Sequence, residues 1–242
     1  MITDTRLSQL IEIKKLTFSY NKKSENKIIN NLNFSISKNE AVAIVGPNGA
    51  GKTTFLKLLI GLLKPFEGTF LYKQRIVSNQ RDLLHSIGLV FQNPDEQVFF
   101  PRVEEDIAFG LRNLGFNSSE IDEKVQMVMH KLKITYLAGR SFFSLSFGEK
   151  KKVSIAGALV TSPEILILDE PTIGLDPWSK KEFSSLLSNL AKESTLIIAT
   201  HDYDLLKQVD KIYFLWKGSF IQVFNNFSDF KKFSDLFDPT RE

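Results

Sequence analysis

The sequence has no cysteine, so it can build neither a disulfide framework nor a thiolate metal site. It has no run of about 18 or more apolar residues, so no segment reads as a membrane-spanning helix. Any membrane role must therefore come through a partner. The first residues, MITDTRLSQLIEIKK, lack an apolar core behind a basic head and do not read as a signal peptide. A large excess of charge of one sign is missing too. The 31 basic and 28 acidic side chains leave a net +3, too mild to argue for nucleic acid. Histidine is scarce, at three residues, so few candidates compete for a histidine-dependent role. Repeats and low-complexity tracts are absent. What remains is 242 residues, 43% of them hydrophobic, enough for one large domain or two small ones sharing an interface.

That material is patterned. IEIKKLTFSY (residues 11–20) and IINNLNFSIS (28–37) alternate apolar and polar residues as half-buried strands do, with NKKSEN (21–26) as a polar hairpin loop between them. AVAIV (41–45) is continuously apolar, as in a strand covered on both faces. A glycine-rich turn and a helix-like TTFLKLLIGLL (53–63) follow. From about Val103 to Ala138 the pattern turns helical: Ile121, Val125, Val128 and Leu132 share one helix face, with Ser119 and Asp122 as its capping pair. EILILDE, STLIIAT and KIYFLW then read as strands separated by helices, which argues for a parallel sheet interrupted by a helical insertion. The last stretch carries Phe224, Phe227, Phe230, Phe233 and Phe237, partly at helical spacing. This is either a terminal helix on its own domain or a subunit contact.

GPNGAGKTT (Gly46, Pro47, Asn48, Gly49, Ala50, Gly51, Lys52, Thr53, Thr54) matches the phosphate-loop pattern, with a buried strand before it and a helix after it. The glycines let the backbone curl so that several N–H groups and a helix N-terminus face an anion. Lys52 supplies a point charge for the terminal phosphates, and Thr53 offers its hydroxyl to Mg²⁺. EILILDEP delivers Asp169 and Glu170 at a strand's C-terminal edge, where ligands of parallel sheets bind. A lone Asp-Glu pair after a strand is often a solvated turn. Beside a phosphate loop, Asp169 reads as a metal ligand and Glu170 as the group that orients the attacking water. IIATHD repeats the logic and ends in His201, a γ-phosphate sensor at the same edge.

In this order the motifs resemble those of an ABC-type ATPase, the nucleotide-binding subunit of an ABC transporter. SLSFGEKKKVSIAGAL looks like the family's signature segment and its helix. The resemblance spans about Ile11 to Lys217. It implies an α/β fold: a phosphate-loop NTPase core with a mixed sheet, an N-terminal antiparallel β subdomain and an inserted helical subdomain. The expected division is 1–92 and 160–220 for the core, about 93–159 for the helical part, and 221–242 for a helical tail. By resemblance, Tyr20 stacks on adenine, and Gln92 reaches Mg²⁺ and the γ-phosphate. Leu145, Ser146 and Gly148 cap ATP held by a second ABC ATPase subunit, and Asp176 lies in the loop crossing between subunits. Two positions depart from the pattern: Phe147 replaces a glycine and Glu149 a glutamine. Phenylalanine avoids positive φ, so either this position needs none or the local geometry differs.

FQNPDEQVFFPRVEEDIAFGLRNLG resembles, more narrowly, the energy-coupling factor ATPases of cobalt, nickel and vitamin uptake. That resemblance implies a groove for an integral membrane coupling subunit, with a substrate-binding membrane subunit beyond it. Asp95, Glu96, Glu104, Glu105 and Asp106 would supply charge there, and Val98, Phe99 and Phe100 apolar contact. The other reading of these acids is a solvated helix start. The expected protein is a MgATP-hydrolysing dimer, homomeric or paired with a paralogue, peripheral at the cytoplasmic membrane face and with no nucleic-acid partner. The alternatives are another class of ABC transporter, a soluble ABC ATPase, or a regulatory module that binds ATP without turnover.

Overall fold

The computed structural model describes residues 9–21 and 26–237. The chain opens with β1 (Gln9–Phe18), β2 (Ile29–Ser37), β3 (Ala41–Val45) and α1 (Lys52–Leu59). β4 (Glu67–Tyr72), β5 (Arg75–Ile76) and β6 (Ile87–Val90) lead into α2 (Val103–Asn113), α3 (Ser118–Lys131) and α4 (Phe147–Leu159). β7 (Ile165–Asp169), α5 (Pro177–Ala191), β8 (Thr195–Ala199), α6 (Tyr203–Leu206), β9 (Lys211–Trp216), β10 (Ser219–Phe224) and α7 (Phe227–Leu236) complete it.

Two sheets form. β2-β1-β4-β5 is antiparallel, and β2 shows why: Leu32, Phe34 and Ile36 turn inward while Asn31 and Asn33 face water. The second sheet runs β10-β9-β3-β8-β7-β6, with its five inner and β6-side strands parallel and β10 antiparallel at the edge. This is the expected mixed sheet with its antiparallel neighbour. The parallel strands are apolar throughout because both faces are covered. In β7, Ile165 and Ile167 pack with α1 and the antiparallel sheet, whereas Leu166 and Leu168 pack with the helices α2 to α5.

Three details differ from the sequence reading. The cap of α3 lies two residues earlier than Ser119 and Asp122: Asn117 accepts the Glu120 N–H and Glu120 accepts the Asn117 N–H. An asparagine outside the apolar repeat made the start harder to see. The helix after the phosphate loop ends at Leu59, and Gly61 adopts positive φ just beyond it. Residues 221–224, expected in the helical tail, instead complete β10, and only from Phe227 is the tail helical. Phe224 and Phe230 are buried with Ile212 and Phe214 of β9, and the rings of Phe233 and Phe237 meet Phe214 edge-on, so the described tail packs on its own domain. Most of the NKKSEN loop lies outside the described residues.

α4 approaches β6 closely at Gly88. A Cβ there would lie 2.7 Å from the Ala158 carbonyl oxygen and 3.0 Å from the Pro163 ring. Replacement Gly88→Ala should therefore push α4 off the sheet. We expect a loss of about 1–3 kcal/mol, typical of overpacking. It should be read as a lower urea midpoint at unchanged slope; an unmoved midpoint would contradict this packing.

Candidate active site

The parallel register brings four strand ends to one edge. β3 runs into the glycine loop, β7 ends at Asp169, β8 leads to Thr200 and His201, and β6 leads to Gln92. Gly46 begins the loop with φ +155°, and a Cβ there would lie 2.2 Å from the Leu215 carbonyl oxygen. Only glycine lets β3 turn this close to β9. The resulting cleft encloses about 340 Å³. Its walls include Asn48, Gly49, Gly51, Lys52, Thr53 and Thr54 from the loop. Gln92, Asp169, Glu170 and His201 face them, and Tyr20 closes one side with its ring 64% exposed and its hydroxyl 3.2 Å from Thr54 Oγ1. Ala50 is buried beneath the loop, and the Pro47 carbonyl accepts its N–H.

Burial sets the electrostatics. Lys52 Nζ donates to the Gly46 carbonyl at 2.7 Å and to His201 Nε2 at 2.9 Å. Burial lowers the pKa of Lys52, opposed by the charges of Glu170 and Asp169. Burial raises that of Asp169, opposed by its hydrogen bond from Thr53 Oγ1 at 2.9 Å and by Lys52. Glu170 is raised for the same reason, again against Lys52. His201 is lowered by burial and then by Lys52, which favours the neutral ring that accepts the lysine's hydrogen bond. Glu170 has φ +46°, a left-handed conformation that non-glycine residues adopt rarely and that strained functional sites retain. Its N–H is held by the Ala199 carbonyl at 2.8 Å, and Oε1 lies 3.4 Å from His201 Nε2.

The donor set suits a hard divalent cation. Asp169 Oδ1 is buried and has no hydrogen-bond partner, while Oδ2 receives the Thr53 hydroxyl. A carboxylate oxygen and a hydroxyl beside a phosphate cradle form the partial oxygen shell that Mg²⁺ completes with substrate phosphates and water. These residues fit Mg²⁺.

Ser146, Gly148 and Asp176 are not among the residues lining this cleft. Ser146 caps α4: it accepts the Glu149 N–H, and Glu149 accepts the Ser146 N–H at 2.8 Å. Glutamate at 149 thus keeps the capping box that a glutamine there could also form. Phe147 sits in the first turn without positive φ, so the position needs none. Its ring lies over Gly174, where a Cβ would come within 2.8 Å of a ring carbon. Asp176 caps α5 and accepts the Trp178 and Ser179 N–H groups. Trp178 beside it is 84% exposed.

The acidic loop is partly committed inside the subunit. Asp106 Oδ1 accepts the N–H groups of Phe99 and Phe100, Glu104 accepts the Gly139 N–H, and Asp95 pairs with Lys150 at 2.7 Å. These three acids shape the loop rather than simply offering charge outward. Phe99 is 66% exposed and stacks on Phe109 at 4.5 Å. Two side chains lie outside the candidate residues that the sequence points to. Gln97 stitches the loop to the strand before it: Oε1 accepts the Phe91 N–H and Nε2 donates to the Leu89 carbonyl. Lys151 is fully buried on α4, and burial lowers its pKa to about 8. A lysine four residues before buried Ile155, on the packed face of α4, was the available signal.

Comparison with known proteins agrees with this geometry. The profile of the ABC transporter family matches residues 29–173. The energy-coupling factor transporter ATP-binding protein EcfA of Methanocaldococcus jannaschii is 38% identical over 219 residues, 88% of this chain and 78% of that protein. EcfA of Methanococcus maripaludis is 40% identical over the same shares. Among solved structures, cbiO1 from Clostridium perfringens, described as part of the ABC transporter complex cbiONQ, superposes with a TM-score of 0.84 at 36% identity. It covers 93% of this chain and 92% of its own. A dimeric ATP-binding cassette, MJ0796, bound to ADP and Pi superposes at 0.79 and 26% identity, over 89% of this chain and 98% of its own. With a phosphate cradle, two buried carboxylates and a histidine converging on one cleft, the chain belongs to the ABC transporter ATPases, as an ATP-hydrolysing subunit of the energy-coupling factor type.

Proposed function

We propose that two such subunits close on each other around MgATP, and that closure and reopening drive uptake of a metal ion or vitamin through membrane subunits. The observation that carries this reading is the division of the motifs. Lys52, Thr53, Gln92, Asp169, Glu170 and His201 line one cleft, while Ser146 and Gly148 start a helix outside it. A helix start with a serine cap is a second anion cradle. On a partner subunit it would cover the phosphates that this cleft holds. The similarity to a cassette described as dimeric with ADP and Pi supports the arrangement. The partner is a second copy or a paralogue.

In this reading Tyr20 stacks on adenine, and the loop Gly46 to Thr54 wraps the phosphates. Lys52 carries charge to the terminal ones. Thr53, Asp169 and Gln92 hold Mg²⁺, which when bound neutralises charge on the β- and γ-phosphates. Glu170 orients a water and takes its proton as the new P–O bond forms and the bond to the leaving ADP oxygen breaks. His201 senses the γ-phosphate, and Asp176 holds the segment that crosses between subunits. Residues 1–92 and 160–220, with β10, act as the catalytic core, and about 93–159 as the helical arm. The stacked Phe99 and Phe109, with Glu96 and Glu105, offer an apolar and acidic surface to a coupling subunit at the cytoplasmic membrane face.

Two outcomes check this. Glu170→Gln should lower phosphate release by about 100-fold or more, within the range of general-base catalysis. It should also accumulate an ATP-bound dimer on size exclusion; near-normal release would refute the role. The chain has two tryptophans, so Trp216→Phe leaves Trp178 as sole reporter. Added to the Glu170→Gln, Trp216→Phe protein, MgATP should shift its emission to the blue as the exposed ring is covered. Unchanged emission alongside a dimer would place the contact elsewhere.

A further inference from the structure

Lys151 has no part in the chemistry above, yet it is buried in the middle of it. None of its surface is exposed. Its Nζ donates to the Gln92 carbonyl at 2.7 Å and to the Glu170 carbonyl at 3.2 Å. It lies 5.5 Å from the centroid of the Phe147 ring. A buried ammonium is costly unless well compensated. Here two carbonyls and the nearby Asp169 and Glu170 charges supply the compensation.

We propose that Lys151 is a positioning residue for ATP hydrolysis, clamping the main chains of Gln92 and Glu170 to the helix that carries the signature segment. The proposal rests on the reading of Gln92 and Glu170 given above. Glu170 shows what the clamp does. Its backbone is left-handed, and both polar ends of the residue are tied: the N–H to Ala199, and the C=O to Lys151 at 3.2 Å and to the Ile173 N–H at 3.3 Å. Without the lysine only the Ile173 N–H, within the same turn, holds that carbonyl, so the strained residue can relax and its carboxylate turn away from the water. Gln92 is tied by its carbonyl, which leaves its side chain on the cleft wall. Ser146 caps the same helix just over one turn before Lys151. A displacement of that helix start, as when it meets a partner's nucleotide, is thus passed through one side chain to both residues.

The neighbouring lysines reach other segments. Lys150 pairs with Asp95 of the acidic loop and Lys152 with Glu182 of α5, both at 2.7 Å. Those pairs are partly exposed and add little stability. Lys151 alone touches the catalytic backbone.

The test compares Lys151→Met, which keeps the bulk and loses the donors, with wild type and with Glu170→Gln. Thermal melts, ATP binding in EDTA, and steady-state kinetics are measured on each. Because the chain has no cysteine, Lys151→Cys can also be alkylated with bromoethylamine while unfolded and then refolded, which rebuilds an ammonium of lysine length. The expected result is a folded Lys151→Met protein with ATP affinity and KM within about twofold of wild type. Its kcat should fall about 10- to 100-fold, the scale of a small misplacement of catalytic groups. The aminoethylated protein should recover most of that loss. Turnover near wild type in Lys151→Met, or ATP binding lost in step with kcat, overturns the proposal. So does a chain that folds only with the ammonium in place, which makes the lysine purely structural. If Glu170→Gln keeps its turnover, the reading of the site fails instead. If that variant is dead while Lys151→Met is active, the positioning role alone fails.

Discussion

Two ammonium groups and two carboxylates share one buried region, and the rest of the site is arranged around their balance. Lys52, Lys151, Asp169 and Glu170 are all buried, and each lysine feels both acids. Removing one partner of a buried pair typically costs about 3–5 kcal/mol, because it strands the other charge. No member can therefore drift far from the others. That constraint fixes the first turn of α1, the end of β7 and the middle of α4 relative to one another. The sheet supplies the geometry by ending its parallel strands at a common edge. The charges then lock the loops that leave it.

The same constraint gives α4 its importance. The helix begins at the signature serine, lies against β6 where Gly88 lets it approach, and sends Lys151 beneath the site. Successive helical residues point about 100° apart, so three consecutive lysines can reach three different segments. Lys150 meets the acidic loop, Lys151 the catalytic main chain, and Lys152 the helix after Asp176. Phe147 adds a contact to Gly174 within the same subunit. The part of the chain proposed to meet a partner's nucleotide is thus packed directly on its own catalytic and crossing segments.

Much of this was legible because it is local. A phosphate loop between a buried strand and a helix is a contiguous pattern, and so are the apolar runs ending in Asp169 and His201. Parallel register then brings distant strand ends together with no further information from the sequence. The illegible parts depend on direction. Nothing in the run KKK distinguishes its middle lysine from its neighbours, and only the fold shows that Lys151 faces inward. Asp106 and Glu104 read as outward charge, yet backbone N–H groups from other segments capture them. The α3 cap was displaced by two residues because the visible apolar repeat began after the helix itself. β10 was folded into the tail because phenylalanines at near-helical spacing continue through it.

The Lys52–His201 contact extends the argument to substrate. Lys52 donates to a neutral imidazole, a modest acceptor compared with an ionised oxygen. A phosphate oxygen is a charged acceptor and makes a stronger hydrogen bond. On the proposed reading, ATP takes Lys52 from His201 and frees Nε2, which lies 3.4 Å from Glu170 Oε1. With its proton moved to Nε2, His201 would then donate to a γ-phosphate oxygen, while Glu170 loses some of the lysine's stabilising charge. Its carboxylate becomes a better proton acceptor once the substrate that needs one is bound. Coupling of this kind follows from having few charges in a small buried volume: none can change partner without altering the basicity of the next.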